Sequence, residues 1–146
     1  MRSFRCVAPF LFVLATPAPS GARAEGAEPA LHFTRSAWPA SQEAVIVAGD
    51  SLGIDYDMER LPQCRQLNRN TAWEIAMHYR FDDGPVATLI VADPGMALAR
   101  DRIEVPSGAH TLALWFENFA VANGGRDIVC QAWDSVYGQN YTFAIQ

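Results

Sequence analysis

The sequence contains no lysine, and its whole positive charge rests on 11 arginines. That absence removes the phosphate-loop lysine, Schiff-base chemistry and any lysine-rich nucleic-acid surface. Sixteen acidic residues leave a formal charge of -5, which argues further against polyanionic partners such as nucleic acid. No apolar run is long enough to span a bilayer, and no window of a dozen residues carries a capped helical stripe. Only three cysteines occur, none in a C-x-x-C pair, which excludes a structural zinc site. Hydrophobic residues nevertheless make up 50 % of the chain and charged ones 18 %, the composition of a chain that folds.

The N-terminus has the order of a secretory signal peptide. Met1-Arg2-Ser3-Phe4-Arg5 is basic, an apolar run follows, and breakers lead to Ala22-Arg23-Ala24. The alternative, a membrane anchor, needs roughly twice that apolar length. Residues 1–24 are therefore expected to be removed on export to the periplasm or medium of a bacterium, with no membrane span left afterwards. Loss of Arg2, Arg5 and Arg23 takes the formal charge from -5 to -8. Two cysteines then remain, Cys64 and Cys130, and an even, widely spaced pair in an exported chain reads as a disulfide. The alternative is two free buried thiols.

Residues 25–30 read as a flexible leader and 31–146 as a single domain. Short runs of alternating polarity recur at 31–38, 45–48 and 52–56 (broken at Gly49-Asp50), 73–81, 86–92, 103–105, 111–117, 128–133 and 140–145. The clearest has Trp73, Ile75, Met77, Tyr79 and Phe81 alternating with Glu74, Ala76, His78 and Arg80, the period of a central strand. Asp82-Asp83-Gly84-Pro85, Asp93-Pro94-Gly95, Pro106-Ser107-Gly108 and Asn123-Gly124-Gly125 mark turns. A single turn of helix fits 58–67, interrupted by Pro62. The pattern predicts an all-β, immunoglobulin-like antiparallel β-sandwich of seven to eight strands.

Chemistry-bearing motifs are few. Gly49-Asp50-Ser51-Leu52 after Val45-Ile46-Val47 resembles the opening block of the GDSL-type secreted esterases, in which the serine is the nucleophile. That family also places an Asp-x-x-His pair near its C-terminus, and none occurs here, so Ser51 lacks the base it would need. The bland reading is a turn or bulge between two strands. His32, His78 and His110 are scattered and read as solvated strand-face residues, with no metal expected. The acid pairs Asp55/Asp57, Asp82/Asp83 and Asp93/Asp101 lack the D-x-D-x-D-G spacing of a calcium loop. No cofactor is implied.

The richest segment runs from Cys130 to Phe143 and places Trp133, Asp134, Tyr137 and Asn140 around one tight turn. Flat rings beside amide and carboxylate groups are what a sugar site needs, because a ring stacks on the C–H face of a pyranose while polar groups bind its hydroxyls. Trp115 is a further candidate platform from a neighbouring strand. The competing reading puts Trp133 and Tyr141 in the core and has Asp134 and Asn140 cap turn backbone. Because Val129 and Trp133 are four residues apart they are expected on one face, which could turn Trp133 inward.

Two resemblances follow from these segments. Arg60-Leu61-Pro62-Gln63-Cys64-Arg65, Tyr79-Arg80-Phe81-Asp82, Val105-Pro106-Ser107-Gly108-Ala109, Trp115-Phe116-Glu117-Asn118 and Ala132-Trp133-Asp134-Ser135 are similar to an uncharacterised bacterial family of small exported domains, which brings no known activity. Separately, the nine residues 133–141 resemble the Trp-Asp-Asn-Asn-x-Gly-x-Asn-Tyr signature of starch- and glycogen-binding modules. Trp133, Asp134, Gly138, Asn140 and Tyr141 match it, and Ser135 and Val136 stand where the signature has asparagine. The resemblance implies a β-sandwich with a glucan site near its C-terminus. The sequence thus points to an exported, non-catalytic binding module, for neutral glucan-type carbohydrate. Its alternatives are a structural or protein-interaction domain and, further off, a small hydrolase.

Overall fold

The computed structural model describes residues 28–38, 40–65, 72–96 and 99–146. The proposed signal peptide, Cys6 and the first part of the expected leader lie outside the described residues. Among the described residues there are nine strands: β1 (Ala30–Phe33), β2 (Ser41–Gln42), β3 (Ser51–Tyr56), β4 (Ala72–Phe81), β5 (Ala87–Ala92), β6 (Ala99–Glu104), β7 (Thr111–Ala122), β8 (Asp127–Asp134) and β9 (Tyr141–Ala144). One sheet has the order β2-β1-β3-β6; the other has β5-β4-β7-β8, with β9 also paired to β7. The all-β sandwich expected from the alternating runs is what forms. Two pairings depart from a purely antiparallel arrangement: β1 lies parallel to β3 with Leu31 beside Ile54, and an isolated Ile46–Ile145 bridge is also parallel.

Each sheet turns its alternate apolar residues inward. Leu31, Phe33, Leu52, Ile54, Tyr56 and Ile103 meet Ile75, Met77, Leu112, Leu114 and Phe116 in one buried cluster. Phe116 is central to it, with its ring centroid 3.9 Å from that of Tyr56 and 4.8 Å from that of Phe33. The expected 45–48 strand reduces to a single bridge, Ile46 to Ile145, because Gly49, at φ +86°, turns the chain away directly afterwards. The single helical turn is a 3-10 turn, Met58–Arg60, whose Asp57 side chain caps the Glu59 amide.

That turn delivers Cys64 to β8, where it is bonded to Cys130, with the Cα atoms 5.5 Å apart. The bridge closes 66 residues of sequence and ties the connection after β3 to an edge strand of the opposite sheet. Among the described residues no helix is long and apolar enough to cross a membrane.

Candidate functional site

β8 and β9 do not pair with each other, although the sequence suggested two strands meeting at a turn. Both lie along β7: Asp134 is opposite Phe116 and Tyr141 opposite Leu114. They are two halves of one edge strand, and residues 135–140 are extruded from it at the level of Trp115. The excursion closes on itself through a Val136–Gln139 bridge. Its two central residues, Tyr137 at φ +49° and Gly138 at φ +82°, have the signs of a type I′ turn. Glycine takes that conformation freely, whereas a left-handed tyrosine costs about 1–2 kcal/mol.

The strain lifts Tyr137 fully into solvent, at 98 % exposure. Trp115, Trp133, Ser135, Tyr137, Gly138 and Asn140 line a hollow of about 480 Å³ between the extruded loop and the outer face of the five-stranded sheet. Every lining residue is uncharged. Trp133 points outward and is 51 % exposed, on the same face as Val129 at 50 %, so the shared face expected from their spacing is the outer one. A register shift precedes this stretch: Ala120 pairs with Cys130 but Val121 pairs with Ile128, leaving Val129 as an extra residue, a bulge. From Val129 to Asp134 the strand then alternates regularly between exposed and covered residues.

Four of the five expected ligand residues therefore converge, and Asp134 does not. It faces the interior at 2 % exposure and holds the sheets together instead. Its carboxylate accepts from Arg60 Nε at 2.7 Å and from Tyr56 Oη at 2.9 Å, and also from the Tyr141 hydroxyl and Arg60 Nη2. Arg60 is itself buried; Nη1 donates to Thr34 O at 2.7 Å, and the guanidinium lies 3.7 Å from the centre of the Trp38 ring. Burial, followed by the Asp134 charge, pushes the Tyr56 hydroxyl far above its ordinary value. Burial and the Asp134 hydrogen bond act likewise on Tyr141. Both phenols stay neutral donors to the carboxylate. This network anchors both ends of the extruded loop, since Asp134 precedes it and Tyr141 follows it.

The sequence reading missed two residues beside the hollow. His78, on β4, stands opposite Trp115, with ring centroids 5.5 Å apart and planes 23° from parallel. Its imidazole also lies 5.9 Å from Trp133, tilted by 34°, so it neighbours both indoles rather than being simply solvated. Glu117, on β7, is 2.9 Å from His78 Nε2. No local motif signals this pair, because the two residues are 39 positions apart and meet only through strand register.

Most of the remaining candidates have structural partners, and Ser51 does not. The Ser51 hydroxyl is buried without a hydrogen-bond partner, so no histidine reaches it as a base. Asp55 sits between His32 and Arg100, Asp57 caps its turn and Asp93 accepts from the Gly95 amide. Asp82 accepts from the His110 and Thr111 amides; its carboxyl is held below the usual carboxylate range chiefly by the His110 backbone bond. Among the described residues no group of three or more histidine, cysteine or acidic side chains is placed to hold a metal ion.

A family model described as "Family of unknown function (DUF6209)" matches residues 23–146. No curated protein and no solved structure matches the chain.

Proposed function

The chain belongs to this family of unknown function, and from its own geometry we infer an exported, non-catalytic binding module that holds a neutral glucan-type carbohydrate in the Trp115–Trp133–Tyr137 hollow. The observation that carries the reading is Tyr137. A bulky residue is kept in a left-handed conformation with its ring wholly in solvent, beside an exposed indole, and strain of this kind points to function. The rings supply stacking faces, and Ser135 and Asn140 supply hydroxyl and amide groups within the same hollow. Its uncharged lining favours a neutral ligand over a polyanion or a cation. Export is supported by the basic–apolar–small order of residues 1–24 and by the Cys64–Cys130 bond, since disulfides persist in oxidising compartments.

The test is mobility in native gels with and without embedded starch or glycogen, comparing the parent with Tyr137→Ala and Asn140→Ala. The parent should be retarded and both variants released. Equal mobility of all three, with and without polysaccharide, refutes the ligand. That outcome favours the second reading, a protein-interaction domain, for which the exposed Ile128 and Val129 on the edge strand β8 are the supporting feature.

A further inference from the structure

The outer face of the five-stranded sheet carries one continuous row of side chains that runs past the hollow. Thr88 Oγ1 on β5 lies 2.9 Å from His78 Nδ1, and His78 Nε2 lies 2.9 Å from Glu117 Oε2 on β7. The other Glu117 oxygen accepts from the Gln131 amide on β8. Four strands are stitched together in this way, and the imidazole at the centre is stacked on Trp115 at 23° and tilted 34° to Trp133. Held at both nitrogens, the ring cannot turn, and it fixes the tilt of the two indoles that face the hollow.

We propose that His78 is a positioning residue for the sugar platform and that a second proton on its ring weakens ligand binding there; the ligand half rests on the reading given above. An ionised Glu117 only accepts hydrogen bonds, which assigns the proton of the neutral imidazole to Nε2 and makes Nδ1 the acceptor of the Thr88 hydroxyl. An added proton goes to Nδ1. Thr88 then turns its hydroxyl from donor to acceptor, and no heavy atom has to move. What changes is charge: a cation now draws on the π faces of both indoles. A pyranose C–H face is held by the same π density, and a seated sugar also takes water away from the cation. Both effects set proton and sugar against each other.

The charged groups around His78 are few. Glu74 and Arg80 flank it on the same face of β4, and Glu117 faces it from β7. β5, β9 and residues 135–140 carry no charged residue. On β8, Asp134 is turned to the interior, and Asp127 lies at the far end of the strand.

The experiment uses the full chain and maltoheptaose as probe. Tryptophan fluorescence is followed from pH 5 to 8, the range over which imidazoles change charge, and affinity is measured by calorimetry at both limits. The parent should show a fluorescence step that is lost in His78→Gln and retained in His32→Gln. Maltoheptaose affinity should fall about threefold from pH 8 to pH 5 in the parent and stay flat in His78→Gln. A step that survives in His78→Gln, or a parent affinity independent of pH, overturns the proposal. Failure of maltoheptaose to bind at either pH overturns the sugar reading and the ligand half with it. A step confined to chains that keep His78 would still uphold the positioning half.

Discussion

Replacing Asp134 by asparagine removes the one negative charge from a buried network while leaving Arg60 in place. Side-chain exposures of 0 % and 1 % for the Arg60–Asp134 pair mean that the orphaned guanidinium cannot recover its lost partner from water. Breaking such a pair on one side costs about 3–5 kcal/mol. The amide adds a second penalty, because its nitrogen presents donors where Arg60 and the tyrosine hydroxyls also donate. Taking about 4 kcal/mol for a chain of this size, the melting temperature should fall by roughly 15 °C, measured by circular dichroism with the disulfide intact. The pairing of charges is isolated by the double variant Arg60→Met/Asp134→Leu, which removes both ions and should melt well above Asp134→Asn despite changing more atoms. An Asp134→Asn melting point within about 3 °C of the parent, or a double variant no better than the single one, would refute the claim that this pair holds the sheets together at the base of the loop.

Reducing Cys64–Cys130 frees a loop with a sequence separation of 66; chain entropy sets the loss at about 4 kcal/mol, seen as a lower melting temperature with reductant. Tyr56 and Tyr141 are held protonated in the folded state, while in the unfolded chain tyrosine ionises near pH 10. Their stabilisation is therefore complete below that pH and is lost as pH rises above it. Absorbance at 295 nm should show part of the tyrosine ionising only together with loss of the fold, and smooth ionisation of all four before unfolding would contradict this. Ser51→Ala removes a buried, unpartnered hydroxyl, so it should leave stability unchanged or slightly raised and leave any turnover of p-nitrophenyl acetate unaffected. A loss of turnover in that variant would revive the esterase motif.

Much of the fold was legible because half-buried strands alternate. The 73–81 run became β4, 128–133 became β8, and the even cysteine pair became a disulfide. Boundaries failed where register rather than pattern decides. β7 runs on to Ala122 because β4 and β8 continue to pair with it beyond Glu117. β1 stops at Phe33, short of the expected Trp38, whose ring is used instead against Arg60. The parallel β1–β3 pairing leaves no local signal at all. In the site, Trp133, Tyr137 and Asn140 were readable as a cluster in sequence. Asp134 was misplaced for a reason the pattern contained: if Trp133 faces out, its neighbour on a strand faces in. The distance along the chain concealed His78 and Glu117.

The central claim is that the extruded loop and its two indoles form a carbohydrate site. Titration of the isotope-labelled protein with maltoheptaose, followed by ¹H–¹⁵N correlation spectra, tests it at residue level. The account predicts that the indole signals of Trp115 and Trp133 and the backbone amides of Tyr137 and Asn140 shift together and saturate, while the indoles of Trp38 and Trp73 stay still. Spectra unchanged at millimolar sugar, or shifts confined to Ile128 and Val129 on β8 or to the four-stranded sheet, would contradict it.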